Sequence, residues 1–307
     1  MNATMEFFKL KEKPFSLTPD IDFFCDFDQY QDLLSGLTSN VRSGEGLVVI
    51  TAEVGHGKTM ICRKFLHLLE DMGNIVNVYI PNPKLEPSAL LLTIAEQLNL
   101  EVEDTQLDQI TNLINIGLIE LAREGNQTIC VIDEAQVMSA ETIETLRLLT
   151  NLETQKRKLL QIVLFAQPEL MNLLNRESLR QIRQRISYHY TIPPLSFSDC
   201  YKYVCRRLIV AGHPDGMVLS KTAHHQLYKH SRGIPRIINI LLDKALMLAA
   251  TKSKKQINAN MIEKTMNKSS NLVIKTSSNF DELFLIAIII IILMISGFLI
   301  YTNFGGF

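Results

Sequence analysis

The sequence predicts an α/β protein: a mainly parallel β-sheet buried on both faces, then a small all-helical domain, then a transmembrane helix near the C-terminus. Three observations predict it. Five short apolar runs alternate with amphipathic helical runs as far as residue 193, which is the pattern of a covered parallel sheet. From Pro193 onward the helical period stands alone. Residues 283–301 carry no charge, and as a helix they span about 28 Å, close to the hydrocarbon thickness of a bilayer.

Taken in order, the predicted strands are GLVVITA (46–52), IVNVYI (75–80), TICVID (128–133), LLQIVLFA (159–166) and SYHYTI (187–192). The central ones are nearly continuous in apolar residues, as strands covered on both sides must be. KTMICRKFLHLLEDMG follows the first strand with the period of an amphipathic helix and stops at Gly73. In the helical part, SFSDCYKYVCRRLIVAG begins at Ser196, with Asp199 three residues on in the manner of a capping box, and ends at Gly212. Gly233 closes a second helix and Pro235 opens a third, positions these residues favour. The predicted divisions are 1–193 for the α/β domain, 194–268 for the helical domain, 269–282 for a polar linker, 283–301 for the span and 302–307 for a short tail.

Composition excludes wholesale disorder: 47% of the 307 residues are hydrophobic and 21% charged. The formal net charge is −1, so the global basic footprint of a nucleic-acid binder is missing, and no nucleic-acid partner is expected. Five scattered cysteines, Cys25, Cys62, Cys130, Cys200 and Cys205, suit reduced thiols in a cytosolic compartment better than a disulfide framework. Lys252, Lys254, Lys255, Lys264, Lys268 and Lys275 precede the predicted span, and no Lys or Arg follows it. The positive-inside rule then leaves the globular part in the cytoplasm.

Chemistry concentrates in the loop after the first strand. AEVGHGKT fits the P-loop pattern G-x-x-x-x-G-K-[ST] except that Ala52 replaces the first glycine, and it lies between a strand and a helix as that motif requires. Residues Ala52, Glu53, Val54, Gly55, His56, Gly57, Lys58, Thr59 and Met60 are therefore the expected phosphate cradle. Gly55 and Gly57 let backbone N–H groups curl around phosphate oxygens, Lys58 supplies the cation, and the Thr59 hydroxyl is an expected Mg²⁺ ligand. Alanine is tolerable at the first position unless the turn needs a positive φ there.

A second acidic signal supports ATP as the ligand. ICVIDEAQ ends a buried strand at Asp133, an expected Mg²⁺ ligand, and adjacent Glu134 is placed to polarise an attacking water. Gln167, at the end of another central run, is a candidate for sensing the γ-phosphate or holding the water, or simply a strand-end cap. SLRQIRQRISYHY carries Arg180, Arg183 and Arg185, of which Arg185 is the favoured arginine finger toward a neighbouring subunit. Arg236, in the first turn of a helix, is placed where the dipole disfavours a cation unless a phosphate is bound.

Taken together, FFKLKEKPFSLTPDIDFF, GEGLVVITAEVGHGKT, VIDEAQ, IVLFAQPEL, RQRISYHYTIPPLS and SRGIPRIIN resemble the AAA+ ATPases, over residues 5 to 268. More narrowly they resemble the family of general secretion pathway protein A and the MSHA-pilus biogenesis protein M. The resemblance implies a P-loop NTPase core with a helical lid, in which Lys58 and Thr59 are Walker A and Asp133 and Glu134 Walker B. It further implies Gln167 at or beside sensor 1, Arg185 as a finger candidate, Arg236 as sensor 2, and the N-terminal segment around Pro14 and Phe15 packed near the adenine. Secretion-type members continue beyond their span into a peptidoglycan-binding domain. None is recognisable after residue 301, so that role is not expected here.

The expected function is thus a homo-oligomeric ATPase anchored in a bacterial inner membrane, which drives or regulates assembly of a type II secretion or pilus-like machine with other assembly proteins. The alternative is a DNA-associated AAA+ ATPase of the transposition or replication-initiation type, whose core motifs look similar.

Overall fold

The computed structural model describes residues 3–44, 46–103, 106–153 and 158–273. The predicted span, the tail and residues 274–282 of the predicted linker lie outside them. Among the described residues no helix is long and apolar enough to cross a membrane.

Strands β1 (Leu47–Thr51), β2 (Ile75–Ile80), β3 (Gln127–Ile132), β4 (Leu160–Ala166) and β5 (Ile186–Thr191) form one sheet in the order β2-β3-β4-β1-β5. Every neighbouring pair is parallel, and each strand begins and ends within one residue of the predicted run. Successive side chains point to opposite faces. Val48, Ile50, Ile129, Val131, Val163 and Phe165 enter one apolar core, while Leu47, Val49, Cys130, Ile132, Ile162 and Leu164 enter the other. Both faces of the central strands β1, β3 and β4 are covered, so these strands have no polar alternation to show in the sequence, whereas edge strand β5 is largely exposed.

The first core lies under α2 (Asp28–Ser43) and α3 (Lys58–Asp71). Ile61, Cys62, Phe65 and Leu69 of α3 make the buried stripe. Phe65 meets Phe165 of β4 with ring centroids 6.3 Å apart, and each fully buried ring contributes about 2 kcal/mol. The second core lies under α4 (Pro87–Gln97), α5 (Leu107–Arg123), α6 (Ala140–Thr150), α7 (Glu169–Leu174) and α8 (Arg180–Arg183). A short N-terminal helix, α1 (Ala3–Phe7), precedes them all.

Among the described residues after β5 the elements are helices: α9 (Phe197–Val210), α10 (Lys221–Ser231), α11 (Pro235–Thr251) and α12 (Ala259–Val273). Ser196 caps α9, its Oγ accepting the Asp199 backbone N–H at 3.0 Å. Gly233, with φ +77°, lets the α10–α11 turn run so close to the β5–α9 connection that a Cβ would lie 2.1 Å from the Leu195 carbonyl oxygen. The backbone of α12 continues through residues 269–273, which the sequence predicts to begin the linker. Phe8, Leu10, Phe15 and Phe23 of the N-terminal segment join the α2–α3 side of the sheet to Leu208, Leu227 and Leu242 of the helical part in one apolar cluster. The change of pattern at Pro193 therefore marks a change of architecture within a shared core.

Candidate nucleotide-binding site

In this strand order β4 lies between β1 and β3, with Thr51 level with Ala166 and Ile132 level with Leu164. The chain leaving the C-terminal ends of these three strands delivers the 52–57 loop, Asp133 and Gln167 side by side, at the sheet edge where parallel α/β folds bind ligands. Gly55 and Gly57 have φ of +87° and +95°, a left-handed conformation that favours glycine. Ala52 is not among the positive-φ residues. Its methyl is fully buried and its N–H donates to the Ala166 carbonyl at 3.0 Å. The alanine continues the strand, and the turn begins after it.

The Lys58 side chain is 8% exposed, and its ammonium donates to Asp133 Oδ1 and, at 2.6 Å, to Glu134 Oε1. Asp133 Oδ1 also accepts the Glu134 backbone N–H at 2.8 Å. Glu134 itself takes φ 55° and ψ 34°, a left-handed conformation that costs a non-glycine residue about 1 kcal/mol or more. Its second oxygen, Oε2, accepts from Gln136 Nε2 at 2.5 Å and from Gln167 Nε2 at 3.5 Å. The other end of the Gln136 amide, Oε1, accepts the Gln167 backbone N–H at 3.0 Å. Partial burial opposes ionisation of Glu134, but the hydrogen bonds from Lys58 and Gln136, with the Lys58 charge and Gln167, outweigh it and hold the carboxyl below its usual value.

Beside this cluster lies a cavity of about 440 Å³. Gly55, Gly57, Lys58, Thr59 and Met60 form one side, and Glu134 and Gln167 close it toward the sheet. Leu17, Phe23 and Tyr30 of the N-terminal part face them, with Tyr203, Arg207, Arg236 and Asn239 from α9 and α11. The helical part touches the loop directly. The Arg236 N–H donates to the Gly55 carbonyl at 3.2 Å, and a Cβ on Gly55 would come within 2.8 Å of the Arg236 Cβ. The volume suits a mononucleotide-sized ligand. Glycine-loop amides at the start of α3 suit a phosphate. Asp133 and Thr59 offer the hard oxygen donors Mg²⁺ prefers, and the Lys58 ammonium lies against Asp133 as a cation would.

One wall of the cavity has a buried arginine behind it. Arg207, 3% exposed, donates from Nε to the Pro14 carbonyl, from Nη2 to the Ser16 carbonyl at 3.4 Å and from Nη1 to the Tyr203 hydroxyl at 3.1 Å. Its guanidinium carbon stands 4.7 Å from the centre of the Phe23 ring, and Asn239 Nδ2 also donates to the Ser16 carbonyl at 3.2 Å. These contacts fasten the N-terminal segment to α9 and α11. Arg207 belongs to no sequence motif, its one signal being its place in the apolar stripe of α9 with Cys200, Tyr203, Val204 and Leu208. The one sequence signal for Gln136 is a polar side chain two residues beyond Glu134.

Of the predicted residues, Glu53, Val54, Gly55, Gly57, Lys58, Thr59, Met60, Glu134, Gln167 and Arg236 line the cavity. Asp133 lies behind Lys58. Ala52 faces the core, and the buried His56 ring turns toward β5, its Nδ1 3.3 Å from the Ile192 carbonyl oxygen. In the N-terminal segment around Pro14 and Phe15, Phe15 is in the apolar core and Pro14 contributes its carbonyl to Arg207, while the next residues, Ser16 to Pro19, line the cavity. Arg185 is not brought to this cavity. It precedes β5, whose first residue is level with Leu47 at the opposite edge of the sheet, and its Nη1 donates to Thr150 Oγ1 at 3.2 Å. Arg183 donates to Asn175 Oδ1 at 3.2 Å, and exposed Arg180 pairs with Glu177 at 3.4 Å.

Comparison with known proteins finds a likeness of the same kind. Residues 41–174 match the family model described as an AAA domain. Over 253 residues the chain is 38% identical to General secretion pathway protein A of Aeromonas hydrophila, a match covering 82% of this chain and 46% of that protein. The chain therefore spans about half the length of the curated relative it matches. Among solved structures, the Aeropyrum pernix ORC2 protein, in its ADPNP-ADP complexes, has a TM-score of 0.61 at 17% identity, over 89% of this chain and 74% of its own. Cdc6p from Pyrobaculum aerophilum gives 0.62 at 18% identity, over 83% and 70%. The Thermotoga maritima RuvB branch-migration motor gives 0.53 at 17% identity, over 83% and 73%. At these identities the solved structures establish the fold alone.

Proposed function

From the premise that this chain carries an AAA domain and is a relative of General secretion pathway protein A, we propose that it binds ATP with Mg²⁺ and hydrolyses it. The observation that carries this reading is the Lys58 ammonium held against Asp133 and Glu134 beneath a glycine loop that opens on the cavity. Lys58 binds the β- and γ-phosphates, and the loop N–H groups take the remaining oxygens. Thr59 and Asp133 hold the Mg²⁺, which when bound neutralises developing phosphate charge. Glu134 accepts the proton of the attacking water, Gln167 positions that water or the γ-phosphate, and Arg236 carries the state of the site into the helical part. These roles are supported by the lining of the cavity and by the motif order.

The coupled work is assembly or regulation of an envelope secretion or pilus machine, supported by the 38% identity to a protein named for the secretion pathway. Anchoring by residues 283–301, supported by their uncharged apolar run, would hold the ATPase domain at the cytoplasmic face of the inner membrane. Homo-oligomers would bring Arg185 to a neighbour's γ-phosphate, a reading supported by its place at the far edge of its own sheet.

Nucleotide binding and turnover by the purified protein test the reading. Lys58→Ala is expected to lose ATP binding. Glu134→Gln is expected to keep binding while turnover falls by about 10²-fold or more. Turnover by Glu134→Gln at the unsubstituted rate would remove Glu134 as the base.

A further inference from the structure

Glu134 is held at both carboxylate oxygens by different partners. Lys58 holds Oε1 at 2.6 Å, and Gln136 holds Oε2 at 2.5 Å. The two bonds differ in permanence. The ammonium of Lys58 is the group a triphosphate recruits, so its bond to Oε1 competes with the ligand. Gln136 lies on the far side and is tied to the sheet, because its Oε1 accepts the backbone N–H of Gln167, the residue that follows β4. That bond also fixes which end of the amide faces Glu134. With Oε1 engaged by an N–H donor, Nε2 must point at the carboxylate, and a flipped amide would set a carbonyl against it. Gln167 reaches the same oxygen only at 3.5 Å, a weak bond by comparison.

We propose that Gln136 is a positioning residue for hydrolysis: its side-chain amide anchors Glu134 Oε2 to the end of β4, leaving Oε1 to face the cavity once Lys58 engages phosphate. This rests on the ATP-hydrolysis reading above. Glu134 sits in a left-handed corner before a single turn of 3-10 helix, Ala135–Val137, and its side chain is 38% exposed. Neither packing nor helix holds the carboxylate in one rotamer. The Gln136 bond does so, and a general base works only when its oxygen is within hydrogen-bond reach of the water.

The test compares full-length wild type with Gln136→Ala and Gln136→Glu, measuring kcat and KM for ATP and the Kd of a non-hydrolysable ATP analogue. Gln136→Glu keeps the shape but removes the donor and sets two carboxylates together, so it separates hydrogen bonding from packing even if Gln136→Ala fails to fold. The expected result is a fall in kcat of about ten- to a hundredfold in each folded variant, the effect of one charge-assisted hydrogen bond, with Kd within about twofold of wild type. Wild-type kcat in Gln136→Glu would overturn the proposal, and so would a loss confined to Kd and KM. Wild-type protein without turnover would overturn the hydrolysis reading together with this one, whereas active wild type with unaffected variants overturns this one alone.

Discussion

At position 52 an alanine stands where the P-loop pattern has glycine, and the backbone explains why it is tolerated. Positive φ is confined in this loop to Gly55 and Gly57, while Ala52 still bonds to β4 with its methyl in the core. Glycine there would add unfolded-state freedom and remove a buried methyl. Ala52→Gly is therefore expected to destabilise the protein by about 1 kcal/mol and leave nucleotide affinity unchanged, as read by thermal unfolding and nucleotide titration. A gain in affinity would mean that the alanine restricts the loop after all. Glu134 is the reverse case, because its positive φ belongs to a residue that does not favour it. The strain persists because Lys58, Asp133, Gln136 and Gln167 all bond to its side chain or backbone.

Between elements, the controlling contact is Arg207 of α9 against the N-terminal segment. A buried guanidinium bonded to carbonyls and stacked on Phe23 fixes where residues 16–25 stand, and those residues form one wall of the cavity. Arg207→Met retains the aliphatic bulk but leaves the Pro14 carbonyl and the Tyr203 hydroxyl without that donor. The expected cost is about 1–3 kcal/mol, with weaker nucleotide binding because the wall loosens. Stability lost without any change in affinity would show that the wall holds its place without the arginine.

For the whole molecule, the parallel sheet gives opposite edges different functions. The loop, Asp133 and Gln167 gather at the C-terminal edge, whereas Arg185 precedes β5. The six residues of β5 span about 20 Å, so a role for Arg185 in hydrolysis has to be played at another subunit's site. Arg185→Ala and Glu134→Gln proteins are each expected to be inactive alone. Mixed together they should regain a measurable fraction of turnover, since some interfaces then combine an intact arginine with an intact base. Continued inactivity of the mixture, with both proteins shown to co-assemble, would remove Arg185 as the finger.

The sequence by itself determined the five strands to within one residue, the glycine loop, the acidic pair after β3, the cap at Ser196 and the helix break between Gly233 and Pro235, because each depends on side chains near one another along the chain. Tertiary structure alone decided which distant polar groups meet. Gln136 reaches Gln167 across 31 positions and Arg207 reaches Pro14 across 193, and local periodicity cannot encode either contact. It likewise set Arg185 at the far edge of the sheet, since strand order depends on how the two cores pack.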